Sequence, residues 1–193
     1  MSYGKCKTLA STILKKGIVN KFDASFSDEV IEQGSKTFSK ADMQTVRACM
    51  QCGTCVASCP SGRRTAWRIR QIFLKTQRGL RDEILSDPEL WNCTTCYTCQ
   101  ERCPREVKTT DIIRVIRNLA VHEGFMTKNH VMICDILFKQ GHAVPVNDKI
   151  KAYRKDLGLQ EVPPTVHQYP EALEEVNKIL EETGFKAKVK KEK

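Results

Sequence analysis

The sequence predicts a mainly α-helical protein, and three observations carry that reading. Two cysteine-rich loops, "CMQCGTCVASCP" from Cys49 and "CTTCYTCQERCP" from Cys93, recur at an offset of 44 residues. Each is followed by a segment whose apolar residues fall at helical spacing and which closes on a glycine. Between Cys59 and Cys93 no clear alternation of apolar and polar residues marks a strand.

Along the chain, residues 1–40 read as an N-terminal arm, with Cys6, that docks on a partner. Residues 41–144 read as the helical domain holding both loops, and 145–193 as a C-terminal extension with one helix and a basic tail. After the first loop, "TAWRIRQIFLKTQRGL" places Ala66, Ile69, Phe73 and Leu80 near one helix face, with Trp67 and Leu74 alongside. Gly79 followed by Leu80 suits a helix stop with its hydrophobic contact. "RDEILSDPELW" reads as a second short helix, with Pro88 near the start of its last turn. After the second loop, "TTDIIRVIRNLAVHEGF" sets Ile112, Val115, Ile116 and Leu119 on a stripe, and Gly124–Phe125 repeats the stop. The duplication runs on into these helices: Thr65 matches Thr109, Ile69 matches Ile113, and Ile72 matches Ile116. "NHVMICDILFKQG" is apolar nearly all round, which predicts a buried helix with Cys134 in the core. "GHAVPVNDK" and "EVPPTVHQYP" read as linkers. "PEALEEVNKILEETGF" reads as a helix opened by Pro170 and closed by Gly184, and "KAKVKKEK" as a disordered tail.

Of 193 residues, 40% are hydrophobic and 28% charged, a balance that favours a globular chain over disorder. No apolar run approaches the roughly 20 residues needed to span a bilayer. The N-terminus shows no signal-peptide pattern, so a cytoplasmic protein without membrane insertion is the expectation. Eight of the ten cysteines lie in the two loops. Cysteines bunched this way, without an export signal, bind metal more often than they form disulfides.

The spacing names the metal. Both loops read C-x2-C-x2-C-x3-C-P, the iron–sulfur run whose fourth cysteine serves the other cluster of a pair. Three cysteines at three-residue steps wrap three corners of a cube, and the fourth, after a longer step and before a proline, leaves in another direction. Two [4Fe–4S] clusters are therefore expected, one on Cys49, Cys52, Cys55 and Cys103, the other on Cys93, Cys96, Cys99 and Cys59. Structural zinc is the competing reading, but the third closely spaced cysteine and the trailing proline exceed its usual pattern of separated pairs. Gly53 allows close backbone approach, and Thr54 and Thr98 offer hydroxyls near sulfur. If the following helices point their N-termini at the clusters, their dipoles help hold the negative charge.

The formal charge is +9, and Arg63, Arg64, Arg68, Arg70, Lys75, Arg78 and Arg81 form a stretch without an acid until Asp82. Its readings are a solvated helix face, an acidic partner's dock, or compensation of cluster charge. No recognised motif supports nucleic-acid binding. His122, His130, His142 and His167 are scattered without ligand spacing, and no nucleotide loop is present, so no catalytic residue is assigned to this chain.

At "CMQCGTCVASCPSGRRTAWRIRQ" and "LWNCTTCYTCQERCPREV" the sequence resembles the C subunit of heterodisulfide reductase from methanogenic archaea. The resemblance continues through "DIIRVIRNLAVHEGF", "GHAVP" and "VPPTVHQYPEALEEV", covering roughly residues 40 to 183. It implies an all-helical two-cluster ferredoxin core with extended N- and C-terminal arms. It also implies an oxidoreductase complex in methanogenesis, in which a flavin-containing A-type subunit, fed by a hydrogenase or another donor, passes electrons through this subunit. A B-type subunit with Cys-Cys-Gly motifs would reduce the disulfide of coenzyme M and coenzyme B. This chain has no adjacent cysteines, so the resemblance places disulfide cleavage elsewhere. Three alternatives stand beside it: a respiratory dehydrogenase iron–sulfur subunit, which would need more cysteines before Cys49; an independent ferredoxin, which would need no arms; and a zinc-stabilised basic binding module.

Overall fold

The computed structural model describes residues 25–65 and 68–189. Cys6 and the arm up to residue 24, Ala66, Trp67 and the last four residues lie outside the described residues. Among the described residues every regular element is a helix and none is a strand. The chain divides into two compact units: the residues up to Asp87 with Thr94–Ile112, and Pro88–Cys93 with the residues from Ile113 onward.

The first unit opens with α1 (Phe26–Gly34) and α2 (Lys40–Gln44). Ser39 caps α2 by accepting the Asp42 amide at 3.1 Å. Where the sequence reading expected an arm through residue 40, Phe26 and Val30 are instead fully buried, together with Met43 and Val46. Each such burial contributes roughly 1.5–3 kcal/mol. A short α3 (Thr54–Ser58) follows the first loop's opening cysteines, then α4 (Ile69–Gln77) and α5 (Arg81–Leu85). α1 packs on α2 and α4. The buried Ser27 Oγ donates to the Thr76 carbonyl at 3.0 Å, and the Arg81 fork holds Glu29 at 2.8 and 3.0 Å. α6 (Thr98–Glu101) packs on α3.

Two of the helices differ from the sequence reading. α4 starts at Ile69 rather than near Thr65. Thr65 Oγ1 donates to the Ser61 carbonyl at 3.0 Å, and Arg68 donates to the carbonyls of Gly62 and Thr65, both at 3.1 Å. These local side-chain bonds satisfy the backbone outside a helix. "RDEILSDPELW" is two pieces, α5 and a separate 3-10 turn at Pro88–Asn92. Proline lacks the amide and disfavours a helical residue before it, so the helix ends first.

α7 (Thr109–His122) has its first turn in the first unit and continues into the second. In the second unit the stripe read from the sequence is buried, with Val115 4%, Ile116 0% and Leu119 7% exposed, joined by Ile113 and Ala120. Gly124 turns to φ 83° and Phe125 N–H bonds back to the Ala120 carbonyl at 2.8 Å, the expected stop. The unit continues through α8 (Lys128–Gln140), α9 (Asp148–Asp156), α10 (Pro170–Glu182) and α11 (Phe185–Val189).

α8 corrects another expectation. No residue of it is buried; Met132 is 57% and Ile133 43% exposed, and Cys134 is half-buried rather than core. An apolar circumference buries a helix only if neighbours surround it, and α10 and α11 cover part of this one. α9, of which the sequence reading placed only Asp148 and Lys149 in a linker and left the rest unassigned, is capped by Asn147 accepting the Ile150 amide at 3.0 Å. The tail from Lys186 to Val189 is helical, with Val189 1% exposed.

Gly141 ends α8 at φ 65°, and a Cβ there would meet Val166 at 3.0 Å and Leu173 at 3.1 Å. Replacing Gly141 by Ala adds backbone strain of about 1–3 kcal/mol and a steric conflict. The expected outcome is a lower thermal midpoint with unchanged iron content, measured on anaerobically purified protein.

Candidate metal centre

The two cysteine loops have the same backbone. In the first, Gln51 (φ 61°) and Gly53 (φ 85°) flank Cys52; in the second, Thr95 (φ 53°) and Tyr97 (φ 63°) flank Cys96. Two left-handed residues around the middle cysteine turn the chain tightly enough for three sulfurs to face one side. Glycine accepts this geometry freely, whereas Tyr97 is held in it by tertiary bonds. Tyr97 Oη donates to Asp111 at 3.0 Å, and Gln100 Nε2 donates to the same carboxylate at 3.2 Å. The Gln100 amide oxygen in turn accepts the Thr110 N–H at 3.2 Å. The first turn of α7 is thereby clamped to the second loop. In the first loop, Gln77 Nε2 plays the anchoring part by donating to the carbonyls of Val46 (3.1 Å) and Cys49 (3.2 Å).

Cys49, Cys52, Cys55 and Cys103 line one small cavity in the first unit. Three come from the first run and the fourth from the end of the second. Arg70 and Arg105 also line it, and both are exposed. Four thiols are its strongest ligand groups, and the lining holds no carboxylate or imidazole, which suits thiolate-ligated iron–sulfur chemistry. Among the described residues no three Cys, His, Asp or Glu side chains are grouped as for a single metal ion.

The sulfurs of the two runs differ in environment. Cys59 and Cys99 are buried, at 7% and 5% exposure, while Cys52 and Cys96 are exposed. Cys59 Sγ accepts the Gly62 N–H at 3.3 Å. Thr109 Oγ1 donates to Cys99 Sγ at 3.1 Å, and the Thr110 hydroxyl lies 3.5 Å from the same sulfur. The Gln51 amide lies 3.4 Å from Cys49 Sγ, but the orientation that satisfies both of its ends donates to the Arg70 carbonyl at 3.1 Å and accepts from Leu74 N–H at 3.3 Å. We assign that orientation, which removes it from the sulfur. In the second unit, Arg117 donates to the carbonyls of Leu90 (3.0 Å) and Cys93 (2.7 Å) with its guanidinium 5.5 Å from the centre of the Trp91 ring. Cys93 thus sits on a segment fixed by Arg117. Trp91 packs with its ring centre 4.8 Å from that of His130, the planes tilted by 48°, and the His130 pKa is lowered by burial and by the Arg117 charge.

The sequence reading missed Gln77, Gln100, Thr109, Thr110, Asp111 and Arg117 as supports. Thr109 and Asp111 carried a signal, since they open the helix that follows the second loop. Arg117 carried none, because its partners are backbone carbonyls remote in sequence.

The thiols differ in proton affinity. Burial, then the neighbouring thiols of Cys49, Cys99 and Cys52, pushes Cys55 up to about 11. Burial also raises Cys49, with Cys103 and Cys52 adding to it. The Thr54 and Thr98 hydroxyls and backbone amides lower Cys52 and Cys96, because a hydrogen-bond donor stabilises the thiolate. Thiolate is the nucleophile, so alkylation of cluster-free protein begins at lower pH for Cys52 and Cys96 than for Cys55. Iodoacetamide labelling read by peptide mass spectrometry from neutral to alkaline pH is expected to give that order; faster labelling of Cys55 at neutral pH would contradict it.

Comparison with known proteins agrees with the site. A 4Fe-4S dicluster domain matches residues 45–107, a span that encloses both cysteine runs, so the cofactors are two [4Fe–4S] clusters. The chain is 50% identical over 173 residues to the C subunit of the H2:CoB-CoM heterodisulfide, ferredoxin reductase of Methanothermobacter thermautotrophicus, covering 90% of this chain and 88% of the relative. It is 52% identical over 160 residues to the iron-sulfur C subunit of the CoB–CoM heterodisulfide reductase of Methanopyrus kandleri, covering 83% of each. It is 48% identical over 146 residues to the C subunit of the ferredoxin:CoB-CoM heterodisulfide reductase of Methanosarcina mazei, covering 76% of this chain and 90% of the relative. With cysteines, fold and relatives all in agreement, the chain belongs to the family of heterodisulfide reductase C subunits.

Proposed function

We propose that this protein is the electron-transfer iron–sulfur subunit of a cytoplasmic heterodisulfide reductase complex. It would relay single electrons from a flavin-containing A-type subunit to a B-type subunit that reduces the CoB–CoM disulfide. The observation that carries the relay is the thiol-lined cavity holding Cys49, Cys52 and Cys55 with Cys103 from the other run. A crossed pair, with the second cluster on Cys93, Cys96, Cys99 and Cys59, keeps the two redox centres close. The packing of α3, which carries Cys55, on α6, which carries Cys99, supports this closeness.

When bound, each [4Fe–4S] cluster accepts and releases one electron. The chain's own residues supply position and environment. Cys59 and Cys99 hold their sulfurs away from water, whereas Cys52 and Cys96 face the surface, where a partner's centre can approach. The Cys96 thiol donates to the Thr98 hydroxyl at 3.5 Å and Cys52 lies 3.4 Å from the Thr54 hydroxyl; once these sulfurs are iron-bound thiolates with no proton to give, the two hydroxyls would donate to them, and the charges of Arg70 and Arg105 add to the stabilisation of negative charge. No residue of the chain is assigned to bond-making, and two one-electron passages deliver what one disulfide requires. The part of the N-terminal arm before α1 and the C-terminal extension from residue 145 are read as docking segments for the neighbouring subunits.

Replacing Cys103 by Ser tests the crossed assignment. The variant is expected to lose the cluster built on Cys49, Cys52 and Cys55, lowering iron and acid-labile sulfide to about half in a two-cluster protein. Electron paramagnetic resonance showing loss of the other cluster instead would refute the crossing. Anaerobic co-purification tests the complex, with a flavoprotein and a Cys-Cys-Gly-containing protein as the expected companions.

A further inference from the structure

The duplication makes two loops of the same shape, yet the hydroxyls around the third cysteine of each are not equivalent. Cys99 is buried, and two threonine hydroxyls, from Thr109 (3% exposed) and Thr110 (0% exposed), lie at 3.1 and 3.5 Å from its sulfur. An iron-bound thiolate has no proton to give, so both hydroxyls must donate if both bonds are kept. At the matching place after the first loop, the residue paired with Thr110 is Ala66, which has no hydroxyl. The residue paired with Thr109 is Thr65, which is exposed and donates to the Ser61 carbonyl at 3.0 Å. Cys55, the counterpart of Cys99, is half-buried rather than buried.

Thr109 has a second role in the geometry. It also lines the cavity that holds Cys49, Cys52, Cys55 and Cys103. One side chain therefore borders the first cluster's cavity and donates to a ligand of the second. Its position does not depend on loop mobility, because the start of α7 is clamped through Gln100 to Thr110 N–H and through Tyr97 and Gln100 to Asp111.

We propose that Thr109 and Thr110 are positioning residues that set the reduction potential of the cluster ligated by Cys99, making the two duplicated centres electronically unequal. Adding one electron to a cluster increases its negative charge, and a hydroxyl aimed at a ligand sulfur stabilises that added charge. The two hydroxyls therefore raise the potential of the Cys99 cluster above the value it would have without them. The bonds lie in a buried site, where they are little screened by water. The proposal rests on the two-cluster relay reading but not on the crossed exchange of Cys59 and Cys103, because Cys99 stands with Cys93 and Cys96 in either arrangement.

The test is an anaerobic redox titration followed by electron paramagnetic resonance on wild type, Thr109→Val, Thr110→Val, the double variant and Thr109→Ser. Iron and acid-labile sulfide are measured on every sample. Valine keeps the branched shape and removes the hydroxyl, whereas serine keeps the hydroxyl. The signal of the Cys99 cluster is identified as the one that Cys96→Ser perturbs. The expected result is full cluster content, a lower midpoint potential for that signal in both single valine variants, a larger drop in the double variant, and recovery in Thr109→Ser. The other signal should stay near its wild-type midpoint. Full content with unmoved potentials in the valine variants, or equal shifts of both signals, would overturn the proposal. If a valine variant fails to load clusters, Thr109→Ser and Thr110→Ser decide: both must load and keep the wild-type midpoint, and a lowered midpoint in either would overturn it. Absence of iron and sulfide in the wild type would instead sink the relay reading on which it stands.

Discussion

Three sulfurs must face one cavity within the seven residues from Cys49 to Cys55, Thr95 to Tyr97 of the second run repeat the same tight turn, and much of the first unit follows from that demand. The chain meets it by passing through the left-handed region on both sides of the middle cysteine. At Gly53 this is free, but at Gln51, Thr95 and Tyr97 it costs of order 1–3 kcal/mol each. Thr95 is β-branched, the least tolerant type for such a conformation. The offsetting bonds are visible around the second loop, where Tyr97, Gln100 and Asp111 tie it to the first turn of α7. Cluster binding adds a larger stabilisation, because metal-ligand bonds absent from the unfolded chain become folding free energy.

The supporting shell explains why the helices are where they are. α4 supplies Gln77 to the entry of the first loop, and α7 supplies Thr109 and Thr110 to Cys99. The repeat places a helix after each loop, but the two helices are used differently. The first reaches back to backbone carbonyls, and the second reaches a sulfur. The basic stretch also divides by partner: Arg81 pairs with Glu29 and Lys75 with Glu83, while Arg70 is exposed at the cavity wall. Charge compensation of the centre and ordinary helix pairing thus both occur in one run of arginines and lysines.

In the second unit the apolar content exceeds what the unit buries. α8 is apolar on nearly every face, yet none of its residues is buried, and Met132 and Ile133 stand exposed. No helix among the described residues is long and apolar enough to cross a membrane. Burial depends on how many neighbours a helix has, and periodicity alone cannot count them.

The sequence by itself determined the helical class, the two loops, their four-cysteine spacing and the stripe on α7, because each is a local or strictly periodic property, whereas the face read for α4 met the structure only at Ile69 and Phe73. Even the glycine stops at Gly79 and Gly124 were legible, since a left-handed residue after a helix is a local requirement. α1 and α2 were passed over because their apolar residues are few and sit in a polar stretch, although Ser39 with Asp42 is a local cap signal. Only the tertiary structure decided that Phe26 and Val30 belong to a core, that α8 stays open, that Arg117 holds the carbonyl of Cys93, and that two threonines meet one sulfur. Those outcomes depend on groups distant along the chain arriving at the same place, which no local pattern encodes.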